Sequence, residues 1–182
     1  MRIIAGKYKG RILKVPGTKF TRPTTDKVRE ALFNILNNKI DFNKIEVLDI
    51  YAGTGSLGLE ALSRGAASVD FIEKNSAIYK ILQQNIFAMN TDEFCKIFKM
   101  EAVNFSRMKI HKKYDLIFAD PPFFKYDIHY VVENLLKNEF LAEAGLMIIE
   151  RSIQTKEKDI GKFGIEPFKR IGDTLLYKFE KN

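Results

Sequence analysis

The 182-residue sequence predicts an α/β fold in which a mostly parallel sheet is doubly wound, with helices on both faces. From Ile45 onward, short apolar runs typical of strands alternate with helical patterns, and this alternation indicates βαβ units. The last two apolar runs are different, because only Gly172 and Asp173 lie between them. They predict an antiparallel hairpin that closes the sheet at its C-terminal end.

The chain begins with a basic segment that precedes this sheet. Arg2 to Ala5 and Arg11 to Val15 predict a β-hairpin with a glycine-bounded tip. Arg22-Pro23 interrupts regular structure, and a helix over 26–38 follows. The remaining strands are predicted at 45–50, 68–73, 95–100, 114–119, 145–150, 166–171 and 174–180, and the remaining helices at 56–64, 75–89 and 127–138.

Length and composition predict one domain over 1–182, with a basic arm and linker at 1–24 and a catalytic core at 25–182. The absence of a long apolar run excludes a membrane span of about 20 residues, so we expect a cytoplasmic protein, most simply a monomer. Cys95 is the one cysteine, which excludes an internal disulfide and a cysteine-based metal cluster. We therefore expect no metal.

The excess positive charge is concentrated at the start of the chain. Residues 1–29 hold nine Lys or Arg and one acid, whereas residues 30–182 hold 21 bases and 22 acids. Such a concentration predicts an arm that binds nucleic-acid phosphates, although a merely solvated face is the alternative. The predicted RNA-binding residues are Arg2, Lys7, Lys9, Arg11, Arg22 and Arg29.

A cofactor site is predicted where the strand at 45–50 runs into a glycine-rich turn. Gly53, Gly55 and Gly58 match G-x-G-x-x-G, and Glu73 lies 20 residues after the first of them. Spacing alone fits a nicotinamide dinucleotide and S-adenosylmethionine equally well. Asp49, directly before the turn, would repel a pyrophosphate but attract an ammonium and a sulfonium, which favours S-adenosylmethionine.

The most specific string follows the strand at 114–119 and reads Asp120-Pro121-Pro122-Phe123. An exocyclic base amine is a poor nucleophile until its N–H bonds are held. The Asp120 carboxylate and the Pro121 carbonyl can each accept one of those N–H bonds and aim the nitrogen lone pair at a methyl donor. Phe123 can stack on the base. Asp120, Pro121, Pro122 and Phe123 are therefore the predicted catalytic residues.

The sequence resembles the RsmD family of bacterial methyltransferases over nearly its whole length. The resemblance is carried by residues 2–11, by the segment 22–34 that begins Arg-Pro-Thr-Thr, by 49–65, and by Asp-Pro-Pro-Phe at 120–123. It implies methylation of the exocyclic N2 of a guanosine in small-subunit (16S) ribosomal RNA, within the small subunit or an assembly intermediate. It also implies S-adenosyl-L-methionine as the cofactor and a Rossmann-like class I methyltransferase fold with seven strands.

The same resemblance implies specific cofactor contacts. Thr25 and its neighbours should close over the cofactor, Gly53 to Gly55 should line its methionine end, and Glu73 should hold its ribose. Glu101 and Ala102 fall where the family places residues beside the adenine. The predicted cofactor-binding residues are Thr25, Asp49, Ala52, Gly53, Thr54, Gly55, Glu73, Lys74, Asn75, Glu101 and Ala102.

Several alternatives remain open at this point. The string at 120–123 also fits methylation of adenine N6, cytosine N4 or a glutamine amide. A DNA amine methyltransferase is disfavoured because the chain has no added target-recognition domain. Outside this class of enzymes, the rivals are a nicotinamide-dependent dehydrogenase, for which Asp49 is badly placed, and a non-catalytic RNA-binding module.

Overall fold

The computed structural model of the protein describes residues 1–17, 26–122 and 125–181. Its helices are α1 (Asp26–Asn37), α2 (Ser56–Ser63), α3 (Ser76–Ala88), α4 (Ala102–Ser106), α5 (Ile128–Lys137) and α6 (Lys156–Phe163). Its strands are β1 (Glu46–Ile50), β2 (Ser68–Ile72), β3 (Cys95–Phe98), β4 (Tyr114–Ala119), β5 (Leu141–Ser152), β6 (Lys169–Ile171) and β7 (Thr174–Glu180).

The strands form one seven-stranded sheet in the order β3-β2-β1-β4-β5-β7-β6. The pairs from β3 to β5 are parallel, and β7 is antiparallel to both β5 and β6. This arrangement confirms the predicted fold class, including the closing antiparallel hairpin. Chain order reverses between β1 and β4, and in open α/β sheets ligands bind outside the carboxyl ends of the strands at such a point.

Alternating residues of the parallel strands supply two hydrophobic layers, because successive side chains point to opposite faces of a sheet. Val47 and Phe118 pack with α1, α2 and α3 on one face. Leu48 and Ile117 pack with α4 and α5 on the other. None of the helices in the described ranges has the length and apolar character that crossing a bilayer requires.

Three details of the predicted elements are wrong. The sequence analysis has no counterpart of α4, which spans only five residues, or of α6, whose sequence KEKDIGKF is too polar to show a clear apolar stripe. Strand β5 begins at Leu141 rather than at 145. The earlier start passes through Ala144 in a left-handed conformation and a register shift opposite β4, an irregularity that apolar patterning does not reveal.

The N-terminal arm, residues 1–15, folds back on itself as predicted but has a single antiparallel bridge, between Arg2 and Ile12. It does not project from the protein. The backbone N–H groups of Ile4 and Ala5 donate hydrogen bonds of 2.7 and 3.0 Å to the buried Glu60 carboxylate on α2. Ile3 on the arm is also buried in the core. The arm is therefore a fixed layer on α2 that presents its polar side chains outward.

Gly6 determines how closely the arm approaches α2. Its φ is +80°, and a Cβ at this position would lie 1.8 Å from the Ser63 carbonyl oxygen. Gly10 offers a matched comparison, because its φ is +84° but a Cβ there would meet nothing within 4 Å. Comparing the two glycines therefore separates the effect of a steric clash with Ser63 from the effect of a left-handed backbone conformation.

We expect Gly6→Ala to lower the free energy of unfolding by about 2–4 kcal/mol, since it adds a backbone clash to left-handed strain. Gly10→Ala should cost about 1–2 kcal/mol, because only the strain remains. Urea unfolding followed by circular dichroism measures both. Equal losses for the two variants would show that the contact with Ser63 contributes nothing to stability.

Candidate active site

A cavity of about 870 Å³ opens at the carboxyl ends of β1, β2 and β4. This volume lies within the range of sites that enclose a cofactor-sized ligand. Among the residues predicted from the sequence, those that line it are Ala52, Gly53, Thr54, Glu73, Lys74, Asn75, Ala102, Asp120, Pro121 and Pro122. The predicted cofactor turn and the predicted catalytic string thus share one cavity.

The glycine turn between β1 and α2 forms the cavity floor. Tyr51, with φ of +68°, begins the turn, and Gly55, with φ of +84°, ends it directly before α2. A Cβ at Gly55 would lie 2.5 Å from Leu82 Cδ1, so a larger residue would separate the turn from α3. Ser56, the first residue of α2, lines the cavity, and the positive end of the helix dipole lies at this terminus.

Asp49 lies beneath this turn and is almost completely buried. Its Oδ2 accepts a hydrogen bond of 2.9 Å from the backbone N–H of Gly58. Burial raises the pKa of Asp49 from its ordinary value of 3.8 to about 8, and the charges of Asp120 and Glu73 add to the rise. A cation bound above the turn would oppose this rise and favour the carboxylate.

The raised pKa of Asp49 predicts how stability depends on pH in the absence of a ligand. Between pH 4 and 8 the folded protein keeps a proton that the unfolded chain has lost, so the contribution of Asp49 to stability falls as pH rises. Above about pH 8 both states are ionised and the penalty is constant. We expect the free energy of unfolding of Asp49→Asn, minus that of the wild type, to increase from pH 5 to 8 and then to level off.

Urea unfolding of both proteins at several pH values measures this difference. The variant changes only residue 49. A difference between the two proteins in the slope of unfolding free energy against pH therefore reports the Asp49 carboxyl group. Parallel stability curves over the whole range would contradict the raised pKa.

Glu73 stands at the end of β2, on the wall of the cavity. Its Oε2 accepts from Gly53 N at 3.0 Å and its Oε1 accepts from Asn75 N at 2.6 Å. Asn75 in turn caps α3 through its side chain. Burial raises the pKa of Glu73, while these backbone donors oppose the rise. Because each carboxylate oxygen has a further lone pair, Glu73 can also accept from two neighbouring ligand hydroxyls.

Strand β4 carries the predicted catalytic string to the same opening. The strand ends at Ala119, so Asp120, Pro121 and Pro122 leave its carboxyl end directly into the cavity wall. The Pro122 carbonyl accepts a 2.9 Å hydrogen bond from Lys125 N. Proline fixes φ and has no N–H, so this segment presents acceptors rather than donors.

Three predicted cofactor residues do not line the cavity. Asp49 lies behind the glycine turn and accepts from Gly58 N, and Gly55 is the last residue of the turn, packed toward Leu82. Glu101 is exposed and forms an ion pair of 3.1 Å with Lys74 at the rim. The contact of Glu101 with an adenine stays a prediction. Thr25 and Phe123 lie outside the described residues.

The prediction that Arg29 binds RNA is wrong for this structure. Arg29 is completely buried on the inner face of α1, where its guanidinium donates to the Arg2 carbonyl and to Asp26 Oδ1. Burial lowers the pKa of Arg29, while Asp26 and Glu60 oppose the change. The residue therefore anchors the N-terminal arm from within. Arg22 lies outside the described residues.

The other predicted RNA-binding residues lie on the surface. Arg2, Lys7, Lys9 and Arg11 are all exposed on the arm. Their backbones are docked on the protein, so their charged ends face solvent from a fixed support. RNA binding by these four residues stays a prediction.

The cavity also contains residues that the sequence analysis missed. Tyr51 and Lys125 lie near each other at its edge, with Lys125 Nζ 5.4 Å from the Tyr51 ring centroid. Glu150 at the end of β5 and the turn Ile171–Thr174 between β6 and β7 complete the wall. Glu150 could have been found from the predicted strands, since it ends the strand at 145–150 and Asp120 directly follows the strand at 114–119 on the same edge of a parallel sheet.

Comparisons with known proteins agree with this geometry. The family described as Conserved hypothetical protein 95 matches residues 1–180. The ribosomal RNA small subunit methyltransferase D of Escherichia coli is 36% identical over 154 residues, which are 85% of this chain and 76% of that protein. Its namesake from Haemophilus influenzae is 36% identical over 156 residues, or 82% of this chain and 78% of that protein.

A solved structure from Escherichia coli, the candidate methyltransferase yhhF, superposes with a TM-score of 0.82. It is 29% identical in sequence, and the match covers 100% of this chain and 97% of that one. The predicted resemblance is confirmed, and with it the methyltransferase assignment and its cofactor. The chain belongs to the Conserved hypothetical protein 95 family, which is the RsmD family of S-adenosyl-L-methionine-dependent ribosomal RNA methyltransferases.

Proposed function

We propose that this protein transfers a methyl group from S-adenosyl-L-methionine to the exocyclic N2 amine of a guanosine in small-subunit ribosomal RNA. One observation carries the proposal: Asp120, Pro121 and Pro122 line the same cavity as the glycine turn and Glu73. A group suited to orienting an amine and a turn suited to binding the cofactor therefore border one space. The names of the RsmD relatives support the choice of ribosomal RNA.

The residues present fit the cofactor. Asp49 lies under the turn, where burial raises its pKa and the charges of Asp120 and Glu73 add to the rise. A positively charged ligand above the turn favours the carboxylate and so opposes this rise. Glu73 has both oxygens fixed by backbone donors and can accept from the two ribose hydroxyls. When bound, the cofactor supplies an electrophilic methyl group on a sulfonium.

Asp120 and the Pro121 carbonyl prepare the acceptor. Each accepts one N–H bond of the base amine, which directs the nitrogen lone pair toward the methyl group. The bound cofactor would supply the methyl group to this lone pair, and the methylated nitrogen would then release one proton to water. Throughout, the Asp120 carboxylate stabilises the positive charge that develops on the amine. Phe123, the next residue but one after Pro121, is proposed to stack on the extruded base.

The N-terminal arm is proposed to hold the RNA. Lys7 and Lys9 at its tip, with Arg2 and Arg11 on its two segments, are exposed cations on a surface docked beside α2. Such a surface binds phosphates without reading bases. Specificity then comes from the shape of the RNA in the small subunit or an assembly intermediate, together with the contacts made inside the cavity.

The proposal is tested by incubating the protein with isotopically labelled S-adenosyl-L-methionine and small subunits from a strain that lacks the activity. Nucleosides from the digested RNA are then separated by mass spectrometry. Labelled N2-methylguanosine is the expected product. A label on adenosine or cytidine, or on a protein glutamine, would replace the proposed acceptor, and no label despite cofactor binding would overturn the catalytic assignment.

A further inference from the structure

We propose that Glu150 selects guanine by accepting a hydrogen bond from the ring N1–H, beside the amine that Asp120 holds. This inference rests on the proposed function, since it names the group that makes guanine the acceptor. Glu150 lines the cavity and is 9% exposed.

The pairing of β4 with β5 brings the two carboxylates to the same edge of the sheet. These strands are parallel, and Ala119 pairs with Ile149 in the register. Asp120 directly follows Ala119 at the end of β4, and Glu150 directly follows Ile149 within β5. Because neighbouring strands lie about 4.8 Å apart, the two acids lie side by side at the same level.

The two acids also share a face of the sheet. Phe118 and Ile148, two residues earlier on each strand, belong to the core layer that packs against α1. Because side chains two residues apart in a strand point to the same face, Asp120 and Glu150 follow them toward that side. Both then line one cavity, as the structure shows.

Guanine is the base whose edge matches this pair. Its exocyclic N2 amine stands next to a protonated ring nitrogen, so neighbouring donors can meet neighbouring carboxylates. In adenine and cytosine the ring nitrogen next to the exocyclic amine carries a lone pair instead. That lone pair would face the Glu150 carboxylate, and a buried acceptor opposite another acceptor is strongly unfavourable.

The burial of Glu150 increases this discrimination, because charge interactions strengthen where water is excluded. A carboxylate has about four lone-pair positions, so Glu150 can accept from the base while also contacting protein groups. Asp120 orients the reacting nitrogen in this scheme, whereas Glu150 reads the atom beside it.

A specificity swap tests the inference. In 2-aminopurine the amine is retained but the neighbouring ring nitrogen is an acceptor, as in adenine. Small-subunit RNA is prepared by ligation with either guanosine or 2-aminopurine riboside at the methylated position and is assembled into particles. We measure kcat/KM for wild type, Glu150→Gln and, as a matched control on an exposed glutamate, Glu93→Gln.

The wild type is expected to prefer guanosine. The Glu150→Gln side chain can donate its amide N–H to the ring nitrogen of 2-aminopurine, so the preference for guanosine should fall by a factor on the order of 100. The Glu93→Gln control should keep the wild-type ratio. Both substrates carry the same amine, and the C6 carbonyl that 2-aminopurine lacks is missing for every enzyme variant alike. The change in the ratio between wild type and Glu150→Gln therefore reports the contact of Glu150 with the ring nitrogen.

If Glu150→Gln leaves the ratio of kcat/KM for guanosine to that for 2-aminopurine unchanged, whether or not activity falls, the role of Glu150 is overturned. The proposed function stays intact. Failure of the wild type to form N2-methylguanosine at all would instead overturn the proposed function. If Glu150→Gln lowers the melting temperature or cofactor affinity, Glu150→Asp provides the second variant. It keeps the charge but shortens the reach, and it should lose activity on guanosine without gaining on 2-aminopurine.

Discussion

Asp120→Ala is expected to abolish methyl transfer, with a loss in kcat on the order of 10³-fold or more, while the Kd for S-adenosyl-L-methionine changes little. Asp120 shares the cavity with the glycine turn but directly follows β4, whereas most of the proposed cofactor contacts follow β1 and β2. Single-turnover transfer of a labelled methyl group measures the chemical step. Calorimetric titration with the cofactor measures binding separately.

Asp120→Asn is an informative companion because it keeps one acceptor oxygen but removes the charge. Its activity should lie between those of the wild type and Asp120→Ala, since it can still hold an N–H bond but stabilises the developing charge less. Asp92→Ala, at an exposed acid beside β3, serves as the control that retains activity. Parallel loss of catalysis and cofactor affinity in Asp120→Ala would make Asp120 a structural residue.

The second large effect is expected from reversing the charge of the N-terminal arm. Replacing Arg2, Lys7, Lys9 and Arg11 with Glu should weaken RNA binding on the order of 10³-fold at low salt. The slope of log Kd against log salt concentration should decrease by about 3–4, because each lost phosphate contact removes roughly one counterion. Cofactor affinity should remain, since the arm is docked through backbone N–H groups and buried apolar side chains.

The matched control reverses four other exposed lysines and so changes the net charge equally. These lysines, which lie away from the arm, are Lys39, Lys80, Lys137 and Lys169. Filter binding or fluorescence anisotropy over a range of salt concentrations compares the two variants. If both variants lose the same affinity, the arm contributes only net charge and is not a binding surface.

Local patterns predicted most of the architecture, because the strands of this sheet are strongly apolar and several turns between elements are marked by glycine or proline. The glycine turn after Asp49 and the prolines after Asp120 each follow a buried strand, so their meeting at one edge follows from parallel pairing. The cavity confirms that meeting. The roles of the individual residues in binding and catalysis stay predictions.

What the sequence did not predict depends on tertiary contacts. Arg29 counts as one more cation in the basic segment, and only the packing of α1 shows that it points inward. Glu60 on α2 is likewise absent from the sequence predictions, and only the fold shows that its buried carboxylate binds the arm. The turn Ile171–Thr174 joins the cavity because β7 runs antiparallel beside β5, a neighbour far away along the chain.

The walls of the cavity come from nearly the whole chain, from Met1 to Thr174. Ser152 pairs with Thr174, so the last strand begins beside the carboxyl end of β5 and brings the turn before it to the opening. During synthesis the N-terminal part of a chain emerges first, and the cofactor turn and Asp120 are made well before β7. A nascent chain therefore holds these groups without an enclosed space around them, and it acquires a complete pocket only after Thr174 has been made.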